Sequence, residues 1–230
     1  MERYTGVEPN ARAYKKNVKV PEKGIKLFFF TLFSHFNKVL FANLLFILFS
    51  IPVVTLPAAL TALSRVYIVL LNDGYVEVFK DFLREFKGSF VNSLLLGICY
   101  AVIAGLALVC ARVYPQMAGG MGTALFCVSC AVMVIASVIF SYAFPMNAQF
   151  KLKVRHILKN SALMTIACPV NSLIIAAINV AFYLIAVNFF LQSIPLLLTV
   201  LISIYELAVY ITVREPFKRF LMRGGEDNNA

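Results

Sequence analysis

The sequence predicts an all-α, polytopic helical membrane protein with about six membrane segments arranged as three hairpins, joined by amphipathic surface linkers. Three observations carry this. Hydrophobic residues make up 61% of the 230-residue chain and charged residues only 14%, against about a quarter charged in soluble domains, and the mean hydropathy is +0.84. Apolar runs recur near the roughly 20-residue length that a hydrocarbon core about 30 Å thick demands. They lack the alternating pattern of barrel strands, so helices must satisfy the backbone. The net charge of +10 is gathered in short stretches beside those runs, where positive residues act as topology signals and contacts for anionic inner-leaflet lipid. That distribution argues against nucleic acid as a partner.

Taken in order, residues 1–26 form a basic cytoplasmic tail carrying Arg3, Arg12, Lys15, Lys16, Lys19, Lys23 and Lys26. With no apolar h-region, it does not read as a signal peptide. The membrane domain is expected over 27–217, with segments near 30–51, 57–71, 91–111, 123–145, 170–190 and 194–213, followed by a second cytoplasmic tail over 218–230. The aromatic stretch from Leu27 to Lys38 reads as an interfacial helix leading into the first segment. Pro52 and Pro57 then interrupt the apolar run, each removing a backbone donor and restricting the residue before it. Asn43 to Leu71 is therefore either one kinked helix or a hairpin turning at Pro52–Pro57.

Charge decides between these. If the proline segment crosses once, the amino-terminal tail faces opposite every later basic stretch. If it is a hairpin, all of the 21 Lys and Arg except Arg65 and Arg112 share one side. The positive-inside rule favours the hairpin, with both termini cytoplasmic. The returning arm is short, so it either tilts or enters and leaves without a full crossing.

After Asn72-Asp73-Gly74, the residues Tyr75, Phe79, Phe82, Leu83, Phe86 and Phe90 recur at helical spacing and predict an amphipathic helix on the inner surface. Phe150, Val154, Ile157 and Leu158 repeat the device before the fifth segment. Gly97, Ala101 and Gly105 place a small residue every four positions, a spacing that lets another helix approach closely, within the monomer or in a homo-oligomer.

Two ionisable residues interrupt apolar runs. Arg65 and Glu206 each lie roughly 10 to 12 Å inside the membrane from the inner side, where a charge costs about 2.5 to 3.5 kcal/mol, and they are expected to pair with one another. Asn43, Asn179 and Asn188 read as interhelical hydrogen-bond formers. Cys127 and Cys130 spell C-x-x-C, yet sit with Cys99, Cys110 and Cys168 in apolar runs and read as packing residues rather than redox or metal ligands. No catalytic residue, metal site or cofactor is expected, because no hydrolase, zincin or phosphate-loop motif occurs.

Asn43, the run Ile51-Pro52-Val53-Val54-Thr55-Leu56-Pro57-Ala58-Ala59, and the stretch Phe82 to Asn92 with Phe86 and Lys87 resemble the YesL-type family of bacterial membrane proteins, also called DUF624. The resemblance implies a small multi-pass protein of the bacterial cell membrane. Genes for such proteins often lie beside those for sugar ABC importers and glycoside-degrading enzymes, which implies a role connected with carbohydrate uptake and importer components as partners. It supplies no reaction. An accessory or scaffold protein linked to a sugar importer ranks first. A small-solute transporter using Arg65 and Glu206 ranks second and a membrane enzyme third.

Overall fold

The computed structural model describes residues 24–116, 120–150, 152–188 and 201–222. The described residues hold nine α-helices: α1 Gly24–Ser34, α2 Phe36–Ser50, α3 Leu56–Asp73, α4 Val78–Gly88, α5 Phe90–Val113, α6 Gly120–Gln149, α7 Val154–Ala167, α8 Pro169–Asn188 and α9 Ile202–Phe217. Among the described residues, three stretches are long and apolar enough to cross a membrane: Val53–Asp73, Phe90–Gln116 and Gly120–Gln149. The count reaches five if the bent pairs α1 with α2 and α7 with α8 are each one span. The sixth expected segment, 194–213, begins outside the described residues, as do most of the basic amino-terminal tail and the side chain of Asn188.

The first expected segment, 30–51, breaks at His35, where α1 and α2 meet at 84°. The break leaves α2 with 15 residues, about 22 Å of helix. Ile25, Phe29 and Phe33 form an exposed apolar stripe on α1, as a helix lying in a membrane interface requires. The second bend, 104° between α7 and α8, falls where Pro169 follows Cys168. It sets the amphipathic α7 across the end of an apolar helix, with Ile157 buried and Phe150, Val154 and Leu158 against the same core.

The proline stretch is a hairpin. α2 ends at Ser50, a 3-10 turn covers Val53–Thr55, and α3 returns packed on α2. Thr55 closes the vertex: its Oγ1 lies 2.5 Å from the Phe49 carbonyl, an acceptor left over in the last turn of α2, and 2.6 Å from the Pro52 carbonyl, which also accepts the Thr55 backbone N–H. Pro57 occupies the first turn of α3, where its missing N–H is not needed. Gly74, at φ 77°, ends α3 by returning its N–H to the Leu70 carbonyl, a conformation open to glycine at little cost.

The charge pattern left open how far the hairpin's vertex reaches. The vertex does not reach the far end of α5. Pro57 packs directly on Gly97, two turns into α5. The ring of Phe49, in the last turn of α2, lies 5.6 Å from that of Phe82 and 4.9 Å from that of Phe86 on α4. The cause is α4, which folds back along α3 from its end toward the vertex. α5 consequently starts beside the vertex and runs on for 24 residues, so the tip meets it about 10 Å from its beginning. On α4, Val78 and Phe82 are buried while Lys80, Arg84, Lys87 and also Phe79 are exposed.

α9 joins two cores. Leu207, Tyr210 and Ile211 belong to a cluster with α1 to α4. Val209, Val213 and Phe217 belong to a second with Leu96, Tyr142, Met146, Ile157 and Ile175. α3 is mostly buried, whereas α5 and the first half of α6 present apolar side chains outward, the surface lipid covers. α6 runs through Pro145 to Gln149, past the expected limit of 145. Its last part is buried among neighbouring helices, the setting in which membrane helices tolerate proline.

Candidate functional site

The densest polar arrangement sits where α2, α3 and α9 meet. On α9, Ser203, Glu206 and Tyr210 recur at i, i+3 and i+7, one helical face, turned toward α2 and α3. Asn43, Ser64, Tyr67 and Ser203 are fully buried and Glu206 is 5% exposed. Ser203 Oγ donates to Asn43 Oδ1 over 3.1 Å. Ser64 Oγ donates to Glu206 Oε1 and also lies 3.1 Å from the Leu60 carbonyl. The Tyr67 hydroxyl faces Ser203 and the Glu206 carboxylate but has no hydrogen bond of its own.

Glu206 therefore meets Ser64 rather than Arg65. Successive helical residues do not share a face, and Arg65 points toward α6, where a guanidinium nitrogen donates to the Ala148 carbonyl over 3.3 Å. Asp81 and Tyr210 lie within its electrostatic reach. Ala148 is in the last turn of α6, and Arg214 donates in the same way over 3.2 Å to Leu71 in the last turn of α3. Each arginine thus caps a carboxyl-terminal helix end, where unsatisfied carbonyls concentrate negative charge.

Two further networks tie the helices. Asn147 Nδ2 donates to Ser93 Oγ over 2.9 Å, Ser93 to Thr61 Oγ1 over 2.9 Å, and Thr61 to the Pro57 carbonyl over 3.0 Å. Every member of that relay from α6 through α5 to α3 has a partner, the condition under which a buried network rigidifies. Asn179 donates to Ser137 over 3.0 Å and to Ser141 over 3.1 Å, and accepts from Tyr205 over 2.9 Å. Asn43 and Asn179 thus act as interhelical bridges.

Of the small-residue stripe, Gly97 alone makes a close approach: Ala101 is exposed and Gly105 has open space where a side chain would project. Phe86 sits in an aromatic stack with Phe49, Phe82 and Phe90, and Lys87 is exposed. Cys127 and Cys130 are exposed on α6, and all five cysteines are free.

The hairpin, its glycine seat and the fold-back of α4 all lie inside one matched stretch. Residues 39–110 match the DUF624 family model. The family is described as a protein of unknown function. No curated protein and no solved structure matches the chain. The matched stretch supplies Asn43, Ser64, Tyr67, Pro57 and Gly97, while Ser203 and Glu206 come from outside it. Sequence reasoning missed Ser64, Tyr67 and Ser203. The available signal was the polar spacing Thr61, Ser64 and Ser203, Glu206 inside apolar runs, three residues apart in both cases.

Proposed function

We propose that this DUF624-type membrane protein is a non-enzymatic accessory subunit, or scaffold, of a carbohydrate importer in the bacterial cell membrane, with both termini cytoplasmic. The observation carrying this reading is the division of α4. Its Phe82 edge is locked in the core while Lys80, Arg84 and Lys87 stand exposed beside it. Arg155 and Lys159 stand exposed on α7, and Lys153 stands exposed at its N-cap. Two rigidly mounted basic helices at the end where anionic lipid concentrates positive charge form a surface suited to an acidic partner. The Asn147–Ser93–Thr61 and Asn179–Ser137–Ser141–Tyr205 networks are satisfied within the helix bundle, which supports a rigid frame more than an open path. The importer assignment itself is supported by the family resemblance.

Affinity purification from the native membrane tests this: an importer component is expected to co-purify, and replacing Lys80, Arg84 and Lys87 by Glu is expected to abolish its recovery while leaving the protein folded. Recovery of the protein alone from gently solubilised native membranes would refute it. A second reading, transport of a solute by this chain itself, is favoured by the buried Glu206. It requires solute flux into vesicles holding this protein alone, lost on Glu206→Gln.

A further inference from the structure

We propose that Asn43, Ser64, Tyr67, Ser203 and Glu206 form a binding site for a monovalent alkali cation, sodium by size. The inference stands whether the protein is an accessory subunit or a transporter. The donor set is all oxygen: one carboxylate, one amide carbonyl and three hydroxyls, the chemistry that hard cations select. It is drawn from three helices, α2, α3 and α9, so an ion there would tie the hairpin to α9. Such ties between membrane helices are otherwise left to hydrogen bonds.

Charge sets the valence. Glu206 is buried, and the group donating to it is the neutral hydroxyl of Ser64, while Arg65 is engaged with the end of α6. A buried carboxylate must be neutralised by a proton or a cation, since an uncompensated charge in an apolar interior is very costly. One monovalent ion balances one carboxylate, and a divalent ion would leave a net positive charge with nothing to offset it. The Tyr67 hydroxyl provides a separate pointer. It is fully buried and faces both Ser203 and Glu206 without a well-formed hydrogen bond to either; a bound ion would give its free lone pair a partner while the O–H stays turned toward Ser203. These oxygens lie in hydrogen-bonded pairs, Ser203 with Asn43 over 3.1 Å and Ser64 with Glu206, in a fully buried seam, and an interior packed this closely admits a small cation more readily than a large one.

The test uses the full-length protein in detergent at constant pH and ionic strength. Thermal unfolding is followed in NaCl, KCl and choline chloride, alongside direct binding of radiolabelled sodium. Sodium is expected to raise the midpoint saturably, since a ligand held only by the folded state stabilises it by mass action. Potassium should do less, choline nothing, and about one sodium should bind per chain. Glu206→Gln should abolish both signals. Tyr67→Phe, which keeps the ring and its packing, should weaken sodium binding several-fold without unfolding the protein. Equal midpoints in all three salts would overturn the proposal, as would sodium binding unchanged in both variants. Unfolding that is indifferent to sodium in the wild type, yet loses its pH dependence in Glu206→Gln, would show that the occupant is a proton and also refute it.

Discussion

Gly97→Ala tests the hairpin's seat directly. A Cβ added at Gly97 would lie 2.1 Å from Pro57 Cγ and 2.7 Å from Pro57 Cβ, whereas carbon atoms settle at about 3.5 to 4.0 Å. A gap of about 1.5 Å must therefore open. Neither side gives easily, because one is a helix backbone and the other a rigid ring in the first turn of α3. The beginning of α3 must move as a unit, and it carries Thr61, which accepts from Ser93 over 2.9 Å. Overpacking of this kind costs about 1 to 3 kcal/mol, and the strained interhelical hydrogen bond adds about 0.6 kcal/mol, for a loss of roughly 2 to 4 kcal/mol.

Unfolding in detergent, followed by helical circular dichroism, reads this loss. Gly105→Ala is the control: nothing lies within 4 Å of the added atom, so it should be neutral or stabilise by up to about 1 kcal/mol, the helix preference of alanine over glycine. Pro57→Ala removes Cγ, the nearer of the two clashing atoms, so in the double variant part of the loss should return as a coupling energy above about 0.5 kcal/mol. If Gly97→Ala and Gly105→Ala proved equally mild, the vertex would not rest on α5 and the placement of the whole hairpin would be wrong.

Three other outcomes are expected. Asn147→Ala should cost about 0.6 kcal/mol and at most about 1.7 kcal/mol by detaching α6 from the Ser93–Thr61 relay, and Ser93→Ala should cost no less, because it strands the buried amide as well; equal stability of both variants and wild type would discount the relay. Cysteines introduced at Gly88 and Gly120 should react with membrane-impermeant reagent from opposite sides of intact vesicles, while one at Val54 should resist it from both, since the vertex lies beside the second turn of α5; ready labelling at Val54 from the side that reaches Gly120 would show a full crossing. On α4, burial holds the Asp81 carboxyl above its usual range, partly opposed by the Glu77 backbone N–H that donates to it; the folded protein therefore holds that proton more firmly than the unfolded chain, so the group's contribution is greatest below its ordinary value of 3.8 and is lost as pH rises through the higher folded value, and Asp81→Asn should flatten that part of the melting-temperature profile.

What the sequence could and could not reveal divides by the range of the interactions. Helical class, the turn at Pro52–Pro57, the stop at Gly74 and the two amphipathic helices depend on residues a few positions apart, and composition and periodicity report such relations. The vertex depth depends on α4 folding back along α3, a packing choice invisible to a charge count: turned either way, the hairpin returns its basic ends to one side. The misassigned partner of Glu206 has a similar origin. Depth along a helix placed Arg65 correctly near the level of Glu206, but pairing also needs a shared direction, and only the residue one position earlier has it. That single step separates two chemistries. Paired with Arg65, Glu206 would be a closed ion pair; set instead among Ser64, Tyr67, Ser203 and Asn43, it is a buried carboxyl surrounded by neutral oxygens, where its charge needs a proton or a cation to neutralise it.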